Sequence, residues 1–244
     1  MNIMFLMGAF RADSNKEQYP LYLTEIREKT ILEQQIENTQ EIQPKQLLFC
    51  VKETDIKQFN VDQVIKQIEP GAKIIPVKAQ TRGAVCTALL GVEYIDKEEE
   101  LLIMAIDDFM DNESSDVIGE FRTLKADAGV VSFNSVHPRY SFARTDNSGT
   151  PVEFAEKIPI SKNALVSFYY FKYGKDFVEC AKEVIRKDNM VNGSFYISQT
   201  LNEMLLKQKK IAMRKIPNEK FHPLKTEVHL AEYISEYREK RDSK

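Results

Sequence analysis

Cysteine is scarce in this sequence and never closely spaced: Cys50, Cys86 and Cys180 are odd in number and far apart. No Cys-x-x-Cys pair exists, so a zinc ribbon or a thioredoxin-type site is unsupported and a reduced, cytoplasmic chain is expected. Glycine and proline number only nine each in 244 residues, which excludes a collagenous or linker-like chain. Positive charge is not in excess. Lys and Arg total 34 against 37 Asp and Glu, a formal net charge of -3. That balance excludes a broadly basic nucleic-acid-binding surface but leaves room for a local basic pocket. No apolar run approaches membrane-spanning length, so no membrane partner is expected. The apolar stretch Met1 to Met7 has no basic flank and is ended by Gly8, so it reads as a strand rather than a signal peptide. No Gly-x-Ser-x-Gly, His-Glu-x-x-His or Walker A motif occurs. His137, His222 and His229 form no metal pattern.

What is present is an ordinary globular composition, long enough to bury a sizeable core. Short apolar runs alternate with charged amphipathic stretches. Ile3 to Met7, Gln46 to Val51, Lys73 to Val77 and Leu101 to Ala105 read as strands, the continuous runs being those of strands buried on both faces. Between them, apolar residues at helical spacing mark Leu23 to Thr39, Val61 to Ile68 and Gly83 to Tyr94. This order argues for a parallel sheet with helical crossovers. After Asp108 the pattern changes. Ser114 to Lys125 reads as a helix and Ala128 to Ser135 as a strand. Asp146-Asn147-Ser148-Gly149 punctuates a hairpin of Tyr140 to Arg144 and Pro151 to Ala155. Ala164 to Phe171 reads as an aromatic strand of core or wall. Helices at 176–186 and 195–206, a short strand at 211–216 and a closing charged helix at 226–240 complete the chain. One α/β domain with a mixed C-terminal half is expected.

Four segments could carry chemistry. The loop Gly8 to Lys16 follows the first strand, where α/β sheets open their ligand crevice, and Arg11 and Lys16 could neutralise phosphate. A solvated surface loop fits the same residues. Asp107-Asp108, with Asp111 nearby, ends a strand at the carboxyl edge of the sheet. These carboxylates suit magnesium bridged to substrate phosphates, or equally an acidic turn. Thr81-Arg82-Gly83-Ala84 is a small-residue turn that lets a base or sugar approach backbone, or simply a tight helix start. Glu156-Lys157 leaves a hairpin strand, where Lys157 could reach a phosphate or form a surface ion pair with Glu156.

Taken in order, several stretches resemble the nucleotidyltransferases that make nucleotide-activated sugars, and most of all the small bacterial members found with capsule and lipopolysaccharide biosynthesis. The stretches are Arg82 to Leu89, Ala105 to Asp108, His137 to Ala143, Glu153 to Ile160, Asn192 to Tyr196 and His222 to Thr226. The resemblance runs over nearly the whole chain. It implies a Rossmann-like α/β fold, shared in outline with GT-A glycosyltransferases, whose mixed sheet has mainly parallel strands flanked by helices. A nucleotide-binding half, residues 1–112, would precede an acceptor half, residues 113–244. The implied reaction is attack of a phosphorylated acceptor on the α-phosphorus of an NTP with loss of pyrophosphate, using Mg²⁺. By position, Asp108 would hold Mg²⁺, and Gly8 and Arg11 would lie in the triphosphate loop. Thr81 and Gly83 would contact the base, Glu156 and Lys157 would face the sugar phosphate, and Asn192 would line the metal or acceptor side. A homodimer is compatible with the family. The chain departs from the pattern in its thin first loop. It also has Tyr19-Pro20-Leu21 where the family carries a phosphate-binding lysine, a place Lys16 could fill. A glycosyltransferase using a nucleotide-sugar and a non-catalytic relative are the competing readings.

Overall fold

The apolar run at the start of the chain becomes β1 (Asn2–Leu6), the strand around which the rest is arranged. In the computed structural model, which describes residues 1–7, 19–26, 28–111 and 113–242, it is followed by β2 (Glu25–Ile26), β3 (Lys29–Thr30), α1 (Ile31–Gln40) and β4 (Gln46–Lys52). Next come α2 (Glu53–Phe59), α3 (Val61–Ile68), β5 (Lys73–Val77), α4 (Ala84–Leu89), α5 (Val92–Ile95) and β6 (Leu101–Ala105). The second half holds β7 (Asp108–Met110), α6 (Ser114–Thr123), β8 (Ala128–Asn134), β9 (Ser141–Thr145), β10 (Pro151–Glu156) and β11 (Asn163–Phe171). It ends with α7 (Gly174–Arg186), α8 (Ile197–Leu206), β12 (Ile211–Lys215), β13 (Phe221–Pro223) and α9 (Glu227–Asp242).

Nine of these strands form one mixed sheet. β1 lies between β4 and β6 and is parallel to both, and β5 extends the parallel group beyond β4. β11 runs antiparallel beside β6 and joins β8 and the β9–β10 hairpin to it, and β12 adds in parallel to β8. The sheet is the α/β arrangement expected, parallel in the first half and mixed in the second.

Alternate residues of β1 feed two separate cores. Ile3 and Phe5 pack with Leu47, Phe49, Leu102 and Met104 under α1, α3 and α6. Met4 packs on the other face with Leu48, Cys50 and Ile103 under α4, α7 and α8. This two-sided burial is why the strands read as unbroken apolar runs rather than alternating ones. All three cysteines are free, with Cys50 and Cys180 buried.

Two helices differ from the periodicity. The apolar spacing from Leu23 becomes helical only at Ile31, because Thr30 caps there: its hydroxyl accepts the Glu33 N–H, and the Glu33 carboxylate accepts the Thr30 N–H. The stretch Gly83 to Tyr94 is two helices, broken at Leu90-Gly91. Gly91 rests on the sheet, where an added Cβ would meet Ile75 Cδ1 at 2.7 Å and Met4 Cε at 2.8 Å.

A tighter contact fixes the start of α7. A Cβ on Gly174 would stand 2.0 Å from the carbonyl oxygen of Ile95, a backbone atom that cannot swing aside. Gly174→Ala is therefore expected to destabilise the fold by about 1–3 kcal/mol, which lowers Tm by roughly 2–4 °C per kcal/mol in a chain of this size. Thermal unfolding by circular dichroism checks it, and an unchanged Tm would refute the packing argument.

Candidate functional site

The carboxyl end of β6 lies beside the carboxyl end of β1, with Ala105 opposite Leu6. The chain then turns through Asp107 into β7. Asp108, the first residue of β7, is 2% exposed. Its Oδ2 accepts the Ser167 N–H at 3.0 Å. Its Oδ1 lies 2.8 Å from Lys225 Nζ, and Asp107 Oδ1 lies 4.0 Å from the same nitrogen. Ser167 lies in the stretch of β11 where the pairing with β8 is interrupted, between Leu165 and Tyr169.

Lys225 arrives on a two-stranded antiparallel ribbon. β13 pairs with β7 so that Pro223 stands opposite Asp108, and the Leu224 N–H donates to the Asp107 carbonyl at 2.7 Å. Burial disfavours the charged ammonium, but the fields of Asp108 and then Asp107 outweigh it, and the Lys225 pKa is raised.

A second group sits where β10 ends. Glu156 lies opposite Ser141 in the hairpin register and is buried. Its Oε2 accepts the hydroxyls of Ser141 and, at 2.8 Å, Ser198 on α8. Burial raises its pKa against these two hydrogen bonds and the charges of Lys157 and Lys225. Tyr169 on β11 is buried against the same carboxylates; burial first and then Glu156 raise its pKa. Lys157 has a left-handed backbone (φ 59°). It donates from Nζ to the Tyr196 hydroxyl at 2.7 Å, with the ammonium 4.9 Å from that ring's centre. The surface ion pair between Glu156 and Lys157 is thus not what forms: the carboxylate turns inward to serines and the ammonium turns to Tyr196.

The third group is the Gly83 turn. Gly83 has φ +106°, and a Cβ there would lie 2.5 Å from the carbonyl oxygen of Phe195. The Phe195 N–H donates to the Arg82 carbonyl at 2.8 Å and the Val85 N–H to the Phe195 carbonyl at 3.2 Å. Thr81 and Thr87 share a 2.6 Å hydroxyl contact beneath the turn. Asn192 stands three residues before Phe195 in an exposed left-handed turn (φ 48°) closed by the Val191–Ser194 bridge. That placement couples it to the Gly83 turn through Phe195. A cleft of about 530 Å³ beside β5 is lined by Ile74, Pro76, Lys78, Gln80 and Thr81, among others, and shares only Thr81 with the candidate residues.

Gly8, Arg11 and Lys16 lie outside the described residues. The described chain leaves β1 at Met7, whose N–H donates to the Cys50 carbonyl at 3.0 Å. Sequence reasoning missed Lys225, Ser167, Ser141, Ser198 and Tyr196. The hairpin turn at Asp146 to Gly149 was a partial signal for Ser141, but counting outward from it sets Ser141 opposite Ala155, and only the bulge between Pro151 and Glu153 moves it opposite Glu156.

The residues around Asp108 do not fit a divalent ion as they stand. One carboxylate oxygen holds an amide and the other faces an ammonium, whereas magnesium needs open oxygen ligands. Among the described residues, no group of three or more His, Cys, Asp and Glu could hold a metal. No described helix is long and apolar enough to cross a membrane.

The architecture is the Rossmann-like α/β fold of nucleotidyltransferases. It is similar to a nucleoside-diphosphate-sugar pyrophosphorylase from Vibrio cholerae RC9, at 21% identity and a TM-score of 0.80, covering 96% of this chain and 100% of that one. It is also similar to a UDP-glucose pyrophosphorylase solved with UDP-glucose, at 16% identity and a TM-score of 0.76, covering 98% of each chain. No protein-family model matches the sequence, and no curated relative does.

The buried Glu156 gives a pH test. A carboxyl whose folded pKa is raised binds its proton more tightly in the folded state, so stability falls as pH rises from the ordinary glutamate range through that higher value. Glu156→Gln keeps an oxygen for both serines and removes the titration. The Tm difference, variant minus wild type, is expected to grow with pH across this window in calorimetric scans. A pH-independent difference would show that Glu156 ionises normally.

Proposed function

We propose that the protein is a nucleotidyltransferase that joins an NTP to a sugar phosphate or similar phosphorylated acceptor. The acceptor phosphate oxygen forms the new bond to the α-phosphorus, and the bond to pyrophosphate breaks. Surface-polysaccharide biosynthesis is the setting that the sequence resemblance implies. The observation that supports the reading is the fold match, over 96–98% of this chain, to two sugar-nucleotide pyrophosphorylases. The proteins of those names act on nucleotide sugars, and this chain places polar groups at the sheet edge that suit the same chemistry.

In this reading the loop with Gly8, Arg11 and Lys16 receives the triphosphate, beside the end of β1. The Gly83 turn and Thr81 receive the base, since a glycine turn lets a flat ring lie on backbone. Glu156 and Lys157 face the sugar phosphate, with Lys157 neutralising it and the buried Glu156 holding the strand end through Ser141 and Ser198, and Asn192 lines the acceptor side. Such a transfer needs positioning and charge neutralisation more than covalent help from the protein. Nothing in it passes through a divalent ion held by Asp108.

The deciding experiment is pyrophosphate release, measured for each common NTP with a panel of sugar phosphates. Release with a selective pair supports the reading and names the base. A calorimetric titration that detects nucleotide-sugars but no NTP would replace it with a glycosyltransferase, and silence in both assays would leave a non-catalytic relative. Lys157→Ala is expected to lower kcat/KM for pyrophosphate release by about 10²–10³-fold with an unchanged circular dichroism spectrum. A rate within error of wild type would take Lys157 out of the site.

A further inference from the structure

We propose that Lys225 is the resident cation of the Asp107–Asp108 site: its ammonium stands where a divalent ion would neutralise these carboxylates, and it meets the phosphate oxygens of the bound nucleotide. The phosphate half of this statement rests on the nucleotidyltransferase reading; the cation half does not.

The argument starts from Asp108. A carboxylate this buried needs a compensating charge, because an ion left unpaired away from water costs several kcal/mol. The fold supplies that charge from its own chain, with Nζ 2.8 Å from Oδ1 and 4.0 Å from Asp107. The placement is built and not a chance meeting of two long surface side chains. Pro223 is held opposite Asp108 in the β7–β13 ribbon, the Leu224 N–H is bonded to the Asp107 carbonyl, and Leu224 itself is buried. Lys225 therefore enters the site from an anchored backbone one residue away. A divalent ion at Asp108 Oδ1 would stand within contact of the ammonium, and two like charges at that range repel strongly in a partly buried setting. The lysine must leave before the metal can bind.

An ammonium can also do the second task. It carries three hydrogens and acts as a point charge toward phosphate. The Lys225 side chain is partly exposed along its length while its ammonium is packed on the two carboxylates, and the Asp108 carboxylate is sealed at 2%, so a phosphate reaching this place meets the lysine before the aspartate. Asp108, Asp107 and Tyr169 act on Lys225, and the Lys225 charge reaches Glu156.

The test is a Mn²⁺ titration of the full-length, nucleotide-free protein followed by electron paramagnetic resonance. Lys225→Ala is expected to bind one Mn²⁺ per chain at least roughly tenfold more tightly than wild type, and adding Asp108→Asn is expected to abolish the gain. Wild type binding Mn²⁺ as tightly as Lys225→Ala would overturn the proposal, as would a folded variant that gains nothing. Lys225→Gln, neutral and nearly as long, serves the same comparison if the alanine variant unfolds. A second measurement needs only wild type: calorimetric titration with inorganic pyrophosphate in EDTA and in Mg²⁺. Affinities within about threefold of each other support the ammonium as the phosphate group. Binding only with Mg²⁺ overturns that half. No pyrophosphate binding in either condition overturns the nucleotidyltransferase reading and the phosphate half together, and the Mn²⁺ result then decides the cation half alone.

Discussion

The nine-residue strand β11 is the constraint on which the rest of the molecule turns. It pairs antiparallel with β6 on one side and with β8 on the other, and its first residues also meet β9. The parallel half of the sheet is thereby joined to the mixed half through a single strand. The pairing of β11 with β8 is irregular between Leu165 and Tyr169. Ser167 lies in this stretch. Its N–H leaves the ladder and donates to Asp108. A backbone amide bonded to a buried carboxylate is among the stronger hydrogen bonds a chain can make. The Ser167 amide on one oxygen and Lys225 on the other thus fix the orientation of Asp108.

The rest of the site follows from where that strand places its neighbours. The β9–β10 hairpin, carried at the edge of β11, sets Ser141 opposite Glu156. Helix α8 then docks on the hairpin. Asn202 accepts the Phe154 N–H and returns a donor to the Phe154 carbonyl, and Ser198 reaches Glu156. The edge of β10 is paired to a helix through side chains, which also protects it from pairing with another chain. The same helix begins at Tyr196, the partner of Lys157, one residue after Phe195, the partner of the Gly83 turn. One helix start therefore touches the groups assigned to both substrates.

Much of this was legible in the sequence, and the exceptions have a common cause. The strands β1, β4 and β6 announced themselves as apolar runs because both faces are buried, and the hairpin announced itself through Asp146 to Gly149. What could not be read locally was the β7–β13 ribbon: three residues paired with three others more than a hundred positions away, with no run or period to mark them. Lys225 was missed for the same reason. Its stretch, His222 to Thr226, stood out by resemblance, but its contact with Asp108 is a tertiary fact. The helix after Leu23 was misplaced because apolar spacing continues through β2 and β3, and only the Thr30–Glu33 box shows where helix begins. The seven-residue α2 left no apolar stripe, since its only buried residue is Asp55, which accepts the Tyr22 hydroxyl at 2.6 Å.

A lysine in place of an exchangeable ion alters what the site responds to. Metal at a carboxylate site comes and goes with metal concentration, and its binding is linked to the protonation of the ligands. An ammonium tethered one residue from an anchored ribbon is present in every folded molecule. Because its pKa is raised in the fold, its contribution to stability is complete below the ordinary lysine value and is lost only as pH rises through the higher folded one. The charge is therefore constant across the neutral range. The substitution also couples binding to folding. The group that neutralises Asp108 lies just after β13 and meets the start of β7, so the carboxylate is satisfied within the folded chain. The pair is preorganised by the chain itself, and on the proposed role a phosphate would meet a positive charge whose ordering cost was met when the protein folded.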